Sequence, residues 1–227
     1  MKKTILVILI LLFAIIILTG CSNKKGTSTS ADNGKVQNEY KSKNENEILQ
    51  NIEIRDFILE DETLLAILKN NNNFDVKALW IEVVFYDEDN KVVGTSKTGF
   101  KVLKSNIEAA INDFDMPSRF STYKITLSLG EENKYESCTD KIKINSNNTG
   151  EKIVVITENE SNKELDLLNV SVVYFKNGLP VGYSWQEEYD IEKGKTTYFN
   201  IQYSYNKHFD KVEFDEYKVF VNSAYAK

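Results

Sequence analysis

A chain of 227 residues with 41% hydrophobic and 27% charged side chains accommodates one large or two small globular domains and excludes collagen-like, coiled-coil and wholly disordered classes. Two prolines and ten glycines rule out a Pro- or Gly-rich polymer. The net charge of −6 and pI near 5.1 argue against nucleic acid as a partner, because phosphate binding draws its affinity from a basic surface that releases counterions.

In chain order the first element is a leader. Met1-Lys2-Lys3 precedes an unbroken apolar run from Ile5 to Leu18, a charged n-region and an h-region shorter than the roughly 18 residues a spanning helix needs. Residues 1–20 therefore read as a signal peptide. Leu18-Thr19-Gly20-Cys21 resembles the lipobox of bacterial lipoproteins, in which a small residue precedes the lipidated cysteine. The resemblance implies cleavage before Cys21, diacylation of its sulfur, and a protein held by its lipid at the extracytoplasmic face of the bacterial cell membrane. Two acyl chains suffice for a stable anchor where one is marginal. Loss of residues 1–20 removes Lys2 and Lys3 and no acid, so the charge moves from −6 to −8. With Cys21 acylated, Cys138 is left without an internal disulfide partner.

Residues 21–47 carry the lipid site and then a polar stretch with Ala31, Val36 and Tyr40 as its apolar residues before Glu47, too few to offset the entropy of ordering. This segment is expected to be a solvated tether, holding the folded part on the order of 30 Å from the bilayer.

Beyond it the chain repeats. A shift of 89 residues lays Leu64–Tyr86 on Ile153–Phe175 without a gap and matches Ile67, Asn70, Asn73, Leu79, Val83 and Val84 with identical residues. Phe120-Ser-Thr-Tyr-Lys-Ile125 likewise matches Phe214-Asp-Glu-Tyr-Lys-Val219. A period near 90 exceeds that of solenoids and propellers and indicates tandem domains, assigned to 48–133 and 134–227. Ile81, Val83 and Phe85 alternate, as do Val170, Val172 and Tyr174, and clusters such as Asp87–Asn90 and Lys176–Gly178 punctuate strand-length runs. The predicted fold is all-β, two tandem antiparallel sandwiches. One segment dissents: Ser105-Asn-Ile-Glu108 has the form of a capping box, with Ile107, Ala110, Ile111 and Phe114 at helical spacing. Its counterpart Thr196–Tyr203 is β-branched and aromatic, so a strand is expected in both units.

Trp80-Ile-Glu-Val-Val-Phe-Tyr-Asp87, a polar turn, and then Val92-Val93-Gly94 resemble the signature of FxLYD-type domains of bacterial envelope lipoproteins, over roughly 64–127 and more loosely 153–221, where Lys176 replaces the acid. The resemblance implies immunoglobulin-like sandwiches with no assigned enzymatic activity.

The chemistry is sparse. His208 is the only histidine, so with Cys138 it supplies too few ligands for zinc, and the two lie seventy residues apart with no orienting third group for nucleophilic catalysis. Acids crowd Glu60–Glu62, Asp87–Asp89 and Glu187–Glu188. A helix–loop–helix calcium loop counted from Asp87 would need glycine sixth and glutamate twelfth, where Val92 and Thr98 stand. No phosphate-cradling glycine loop occurs, and no cofactor or metal is implied.

Eight of the twelve tyrosines, with Trp185, fall between residues 174 and 225. Alternation in Tyr183-Ser-Trp185 and Tyr203-Ser-Tyr205 places each pair on one strand face, either in the core or as a surface for a protein or glycan. The sequence thus supports a non-enzymatic, lipid-anchored binding protein whose partner is an envelope or extracellular protein or a glycan. An envelope hydrolase using paired acids or Cys138 and His208, and a calcium-stabilised adhesion module, stand as alternatives.

Overall fold

The computed structural model describes residues 44–226; the leader, Cys21 and the tether up to residue 43 lie outside them. The folded part begins earlier than 48. Asn44 caps a short helix α1 (Glu45–Gln50), its side chain accepting the Glu47 N–H at 2.9 Å, and Ile48 is buried in the first core. Asn72 donates to the Ile48 carbonyl at 3.1 Å. The tether expected through Glu47 thus stops short of Asn44, because Ile48 and Leu49 supply apolar surface that a tether lacks.

The first unit contains β1 (Ile52–Ile58), β2 (Leu64–Asn70), β3 (Val76–Tyr86), β4 (Val92–Leu103), β5 (Glu108–Ile111) and β6 (Thr122–Leu129). The second contains β7 (Glu136–Ser137), β8 (Ile142–Asn148), β9 (Lys152–Asn159), β10 (Leu165–Lys176), β11 (Leu179–Ile191), β12 (Thr196–Gln202) and β13 (Glu216–Ala226). Every strand pair is antiparallel. Sheets ordered β1-β2-β5 and β4-β3-β6 enclose the first core; β8-β9-β12 and β11-β10-β13-β7 enclose the second. Apart from β7, which the second unit adds to its larger sheet, the strand orders coincide unit for unit, and the arrangement is that of immunoglobulin-like sandwiches. The chain passes from one to the other through 130–135.

The segment with the helical pattern is strand β5, paired with β2 from Ala66↔Ile111 to Lys69↔Glu108. Its capping-box residues form a turn instead, with Asn106 at φ +58 and the Ser105 N–H on Asp75 Oδ1 at 3.0 Å. Its counterpart, β12, pairs with β9 in the same way.

One repeated identity has a clear physical cause. Asn70 and Asn159 end β2 and β9 and are buried. The Asn70 amide donates to the carbonyls of Phe74 and Leu103, and that of Asn159 to Lys163 and Ile191, while each Oδ1 accepts the backbone N–H two residues on. Each asparagine satisfies backbone groups beyond the end of its strand that would otherwise be buried without partners.

The two sandwiches are packed face to face. Strand β2 is buried on both sides: Leu64, Ala66 and Leu68 enter the first core, whereas Leu65 and Ile67 join Ala110, Val173, Tyr183 and Phe220 in a third cluster between the units. Full burial of such side chains is worth about 1.5–3 kcal/mol each. Polar groups complete the contact. Ala110 sits on edge strand β5; its N–H donates to Asn222 Oδ1 at 2.8 Å and its carbonyl accepts the Tyr183 hydroxyl at 3.1 Å. Domain-two side chains thereby occupy an edge that would otherwise be open to another strand. Glu108 bonds both Arg55, at 2.8 Å, and Lys218; Lys104 lies between Asp75 and Asp140 at 3.4 and 3.2 Å; Lys101 covers the rings of Tyr135 and Tyr225.

The duplication does not make this contact symmetric. The first unit presents its β1-β2-β5 sheet, the second its β11-β10-β13-β7 sheet. On the first unit's corresponding outer face, exposed Glu82 stands where the second has fully buried Ser171.

Two outcomes are expected. Asn222→Ala leaves the Ala110 N–H buried without a partner and lowers stability by about 1–3 kcal/mol, read as a shift in denaturant midpoint at unchanged m-value. The Lys218 hydrogen bond, with the charges of Lys218 and Arg55, holds the Glu108 carboxyl below its ordinary 4.5. A carboxylate so lowered contributes its stability in full above the ordinary value and loses it as pH falls through the lower folded one. Glu108→Gln should therefore cost up to about 1 kcal/mol at pH 7, and the difference from the parent should close as pH is taken well below 4.5.

Candidate functional site

The four aromatic candidates are split by the packing. Tyr183 and Trp185 share the outer face of β11, opposite Val173 and Ser171 of β10. Tyr183 lies beneath the first unit; two residues on, Trp185 passes the rim of the contact and is 49% exposed. Beside it is a recess of about 400 Å³ lined by Asn112, Ser184, Trp185, Gln186, Ile201 and Gln202, with Tyr183 at its inner side. The recess forms because β11 and β12 are edge strands of different sheets. Gln186 spans the gap, its amide donating to the Asn200 carbonyl at 3.3 Å, and the first unit contributes Asn112 from just beyond β5.

This site has an indole, three carboxamides and the hydroxyls of Ser184 and Tyr183, and no ionised group among its lining residues. Such a set can stack on a sugar or an apolar side chain and exchange hydrogen bonds with hydroxyls or amides. Its lining residues include no histidine, carboxylate, lysine or thiol. Asn112, Gln186 and Gln202 carried no signal in the sequence, because the fold of the second unit sets the two glutamines on neighbouring sheet edges and the packing of the units adds Asn112.

Tyr203 points inward. Its ring contacts Tyr174 and Phe214, its hydroxyl donates to Asn148 Oδ1, and Lys211 Nζ lies 3.7 Å above it. Tyr205 lies beyond the end of β12, bridged to Lys211, and is half exposed. The alternation expected for this pair does not extend to Tyr205, because β12 stops at Gln202. A depression of about 640 Å³ at this end includes Lys176, Lys211, Glu213 and Asp215. Lys176 pairs with Glu213 at 2.7 Å, and Asp215 accepts the Asn177 N–H at 2.9 Å.

The remaining candidates are spread apart. Cys138 is buried, its N–H on the Ala224 carbonyl at 2.7 Å near the end of β13; burial pushes its thiol up, the opposite of an activated nucleophile. His208 stands in an exposed turn before β13 begins. Asp87 Oδ1 is taken by the N–H groups of Asp89 and Lys91, both at 2.9 Å, Asp61 Oδ1 by Thr63, and Glu62 by Lys207. Among the described residues no group of three or more His, Cys, Asp or Glu could hold a metal ion, and no helix is long and apolar enough to cross a membrane.

Comparisons of this chain with protein-family models, with curated proteins and with solved structures find no match.

Because Asp61, Asp87, Asp89 and Glu62 already bond backbone N–H groups or lysines, millimolar calcium should leave the melting temperature unchanged. Binding confined to the native state would raise it, so a calcium-dependent rise in differential scanning calorimetry would contradict this reading.

Proposed function

We propose that the chain is a non-enzymatic binding protein of the bacterial cell envelope, anchored by acylated Cys21 and built from two FxLYD-type domains. The observation that carries the binding role is the Trp185 recess at the junction of the two sandwiches, where an exposed indole stands among uncharged hydrogen-bonding groups. The partner is a protein or glycan of the envelope or the extracellular surface. Anchoring follows from the charged leader, its apolar run and the placement of Cys21.

The pieces act in sequence. Two acyl chains hold the amino terminus in the bilayer. Binding at the recess adds contact area to an existing surface, and the amides fix its orientation. A ligand seated there touches Asn112 of the first unit and Gln202 of the second at once, so it also favours the packed arrangement over any separated one.

Cells expressing the chain should incorporate a palmitate analogue, and Cys21→Ala should abolish the label and release the protein. The released form should bind intact cells or isolated sacculi, and Trp185→Ala should weaken that binding at least tenfold. The same substitution should change stability by no more than about 0.5 kcal/mol, as for an ordinary surface position. An unlabelled parent chain refutes the anchor; unchanged binding by Trp185→Ala refutes the recess.

A further inference from the structure

Trp185 is not alone on its strand face. Four residues on, Tyr189 stands on the same outer face of β11, opposite Leu167 as Trp185 is opposite Ser171, and is 57% exposed. At roughly 3.3 Å per residue the two side chains leave the strand about 13 Å apart. Glu187 lies between them, and its carboxylate is already engaged: it accepts the Tyr189 hydroxyl and, at 3.4 Å, the Asn169 amide. Pairing with β10 runs unbroken along this stretch of β11, so both rings stand on a fixed support.

The surroundings discriminate among ligands. A peptide added as a further strand would need the free edge of β11. That edge is taken at two points: the Val181 carbonyl accepts the Glu60 N–H of the first unit at 3.4 Å, and the Gln186 amide ties the strand to the Asn200 carbonyl at 3.3 Å. A protein hot spot gathers its anchors in one desolvated centre, whereas these two rings stand apart with a polar residue between them. A polyanion finds no cationic group among the lining residues of the recess and meets a chain of net charge −6. A neutral saccharide meets every one of these conditions. The C–H faces of its rings stack on separate aromatic side chains, and its hydroxyls, which both donate and accept, match Asn112, Gln186 and Gln202, whose carboxamides do both as well. The recess, at about 400 Å³, lies at the small end of ligand sites, which suits one part of a longer chain.

We propose, on the basis that the Trp185 recess is the binding site, that β11 carries a track for a linear, uncharged glycan: one sugar ring stacks on Trp185 with its hydroxyls on the recess amides, and another ring of the same chain stacks on Tyr189. The track extends the site to Tyr189, which the recess does not include, and sets a minimum ligand length. A single sugar engages Trp185 alone. Once the chain is long enough to reach Tyr189, the second contact forms at high effective concentration and affinity rises steeply.

The test titrates the full chain, purified in a detergent without a sugar headgroup, with β-linked hexasaccharides of glucose and of N-acetylglucosamine and with the two monosaccharides. Trp80 and Trp185 are the two tryptophans of the chain, so the emission of Trp80→Phe reports Trp185 alone; calorimetric titration of the parent reads the same binding if that substitution disturbs the first unit. The expected result is a saturable shift of Trp185 emission with at least one hexasaccharide, which binds about tenfold or more tightly than its monosaccharide. Tyr189→Ala should remove that advantage and leave monosaccharide affinity unchanged, and Tyr189→Phe, which keeps the ring, should retain it. No binding of either hexasaccharide, a monosaccharide that binds as tightly, a hexasaccharide affinity unmoved by Tyr189→Ala, or tighter binding of a capped uncharged hexapeptide or of poly(glycerol phosphate) would each overturn the glycan track. If both hexasaccharides fail while binding to intact cells still depends on Trp185, the recess stands and the track alone falls; if neither binding is seen, the recess falls with it.

Discussion

The burial of β2 on both of its faces is the constraint on which the rest of the structure depends. Its even-numbered residues belong to one sandwich core, and Leu65 and Ile67 belong to the seam with the next. A sandwich of about ninety residues with no disulfide has a modest core and correspondingly modest stability. Here neither unit relies on its own core alone, because each contributes one outer face to a common cluster. The seam is also specific. Asn222 and Tyr183 meet the two outward-facing backbone groups of Ala110, so a rotated or shifted docking would leave buried polar groups without partners.

That seam also creates the recess. Trp185 shares its strand face with Tyr183, and the two differ only in lying outside or beneath the first unit. Asn112 reaches the recess because β5 lies against the second unit. The site is therefore a property of the pair of sandwiches, and a substitution in the seam acts on it indirectly.

Much of the fold was legible because its signals are periodic. Alternation in Ile81–Phe85 and Val170–Tyr174 identified strands, and the 89-residue offset identified two similar units whose strand orders coincide. The same offset correctly opposed the helical pattern at Ser105–Phe114. A trace of the seam was present too: Leu64-Leu-Ala-Ile-Leu68 is unbroken where its counterpart Ile153-Val-Val-Ile-Thr157 ends in threonine, and a strand apolar throughout is covered on both faces. What covers it was not legible, since Ser171 and Asn222 read as ordinary outward polar residues. The helix at Glu45 was missed because its charged residues resemble the tether, and Ile48 and Leu49 are too few to show a period.

The duplicated faces are used unequally, and this bears on association with further copies. A contact between two different faces of similar units is of the kind that propagates, each unit adding the next, into an open fibre. In this chain the next acceptor face in the series carries Glu82 where the occupied one carries Ser171, and a carboxylate driven into such a seam would have to give up its water without a partner. A carboxylate at that position therefore opposes repetition of the seam on the outer face of the first unit.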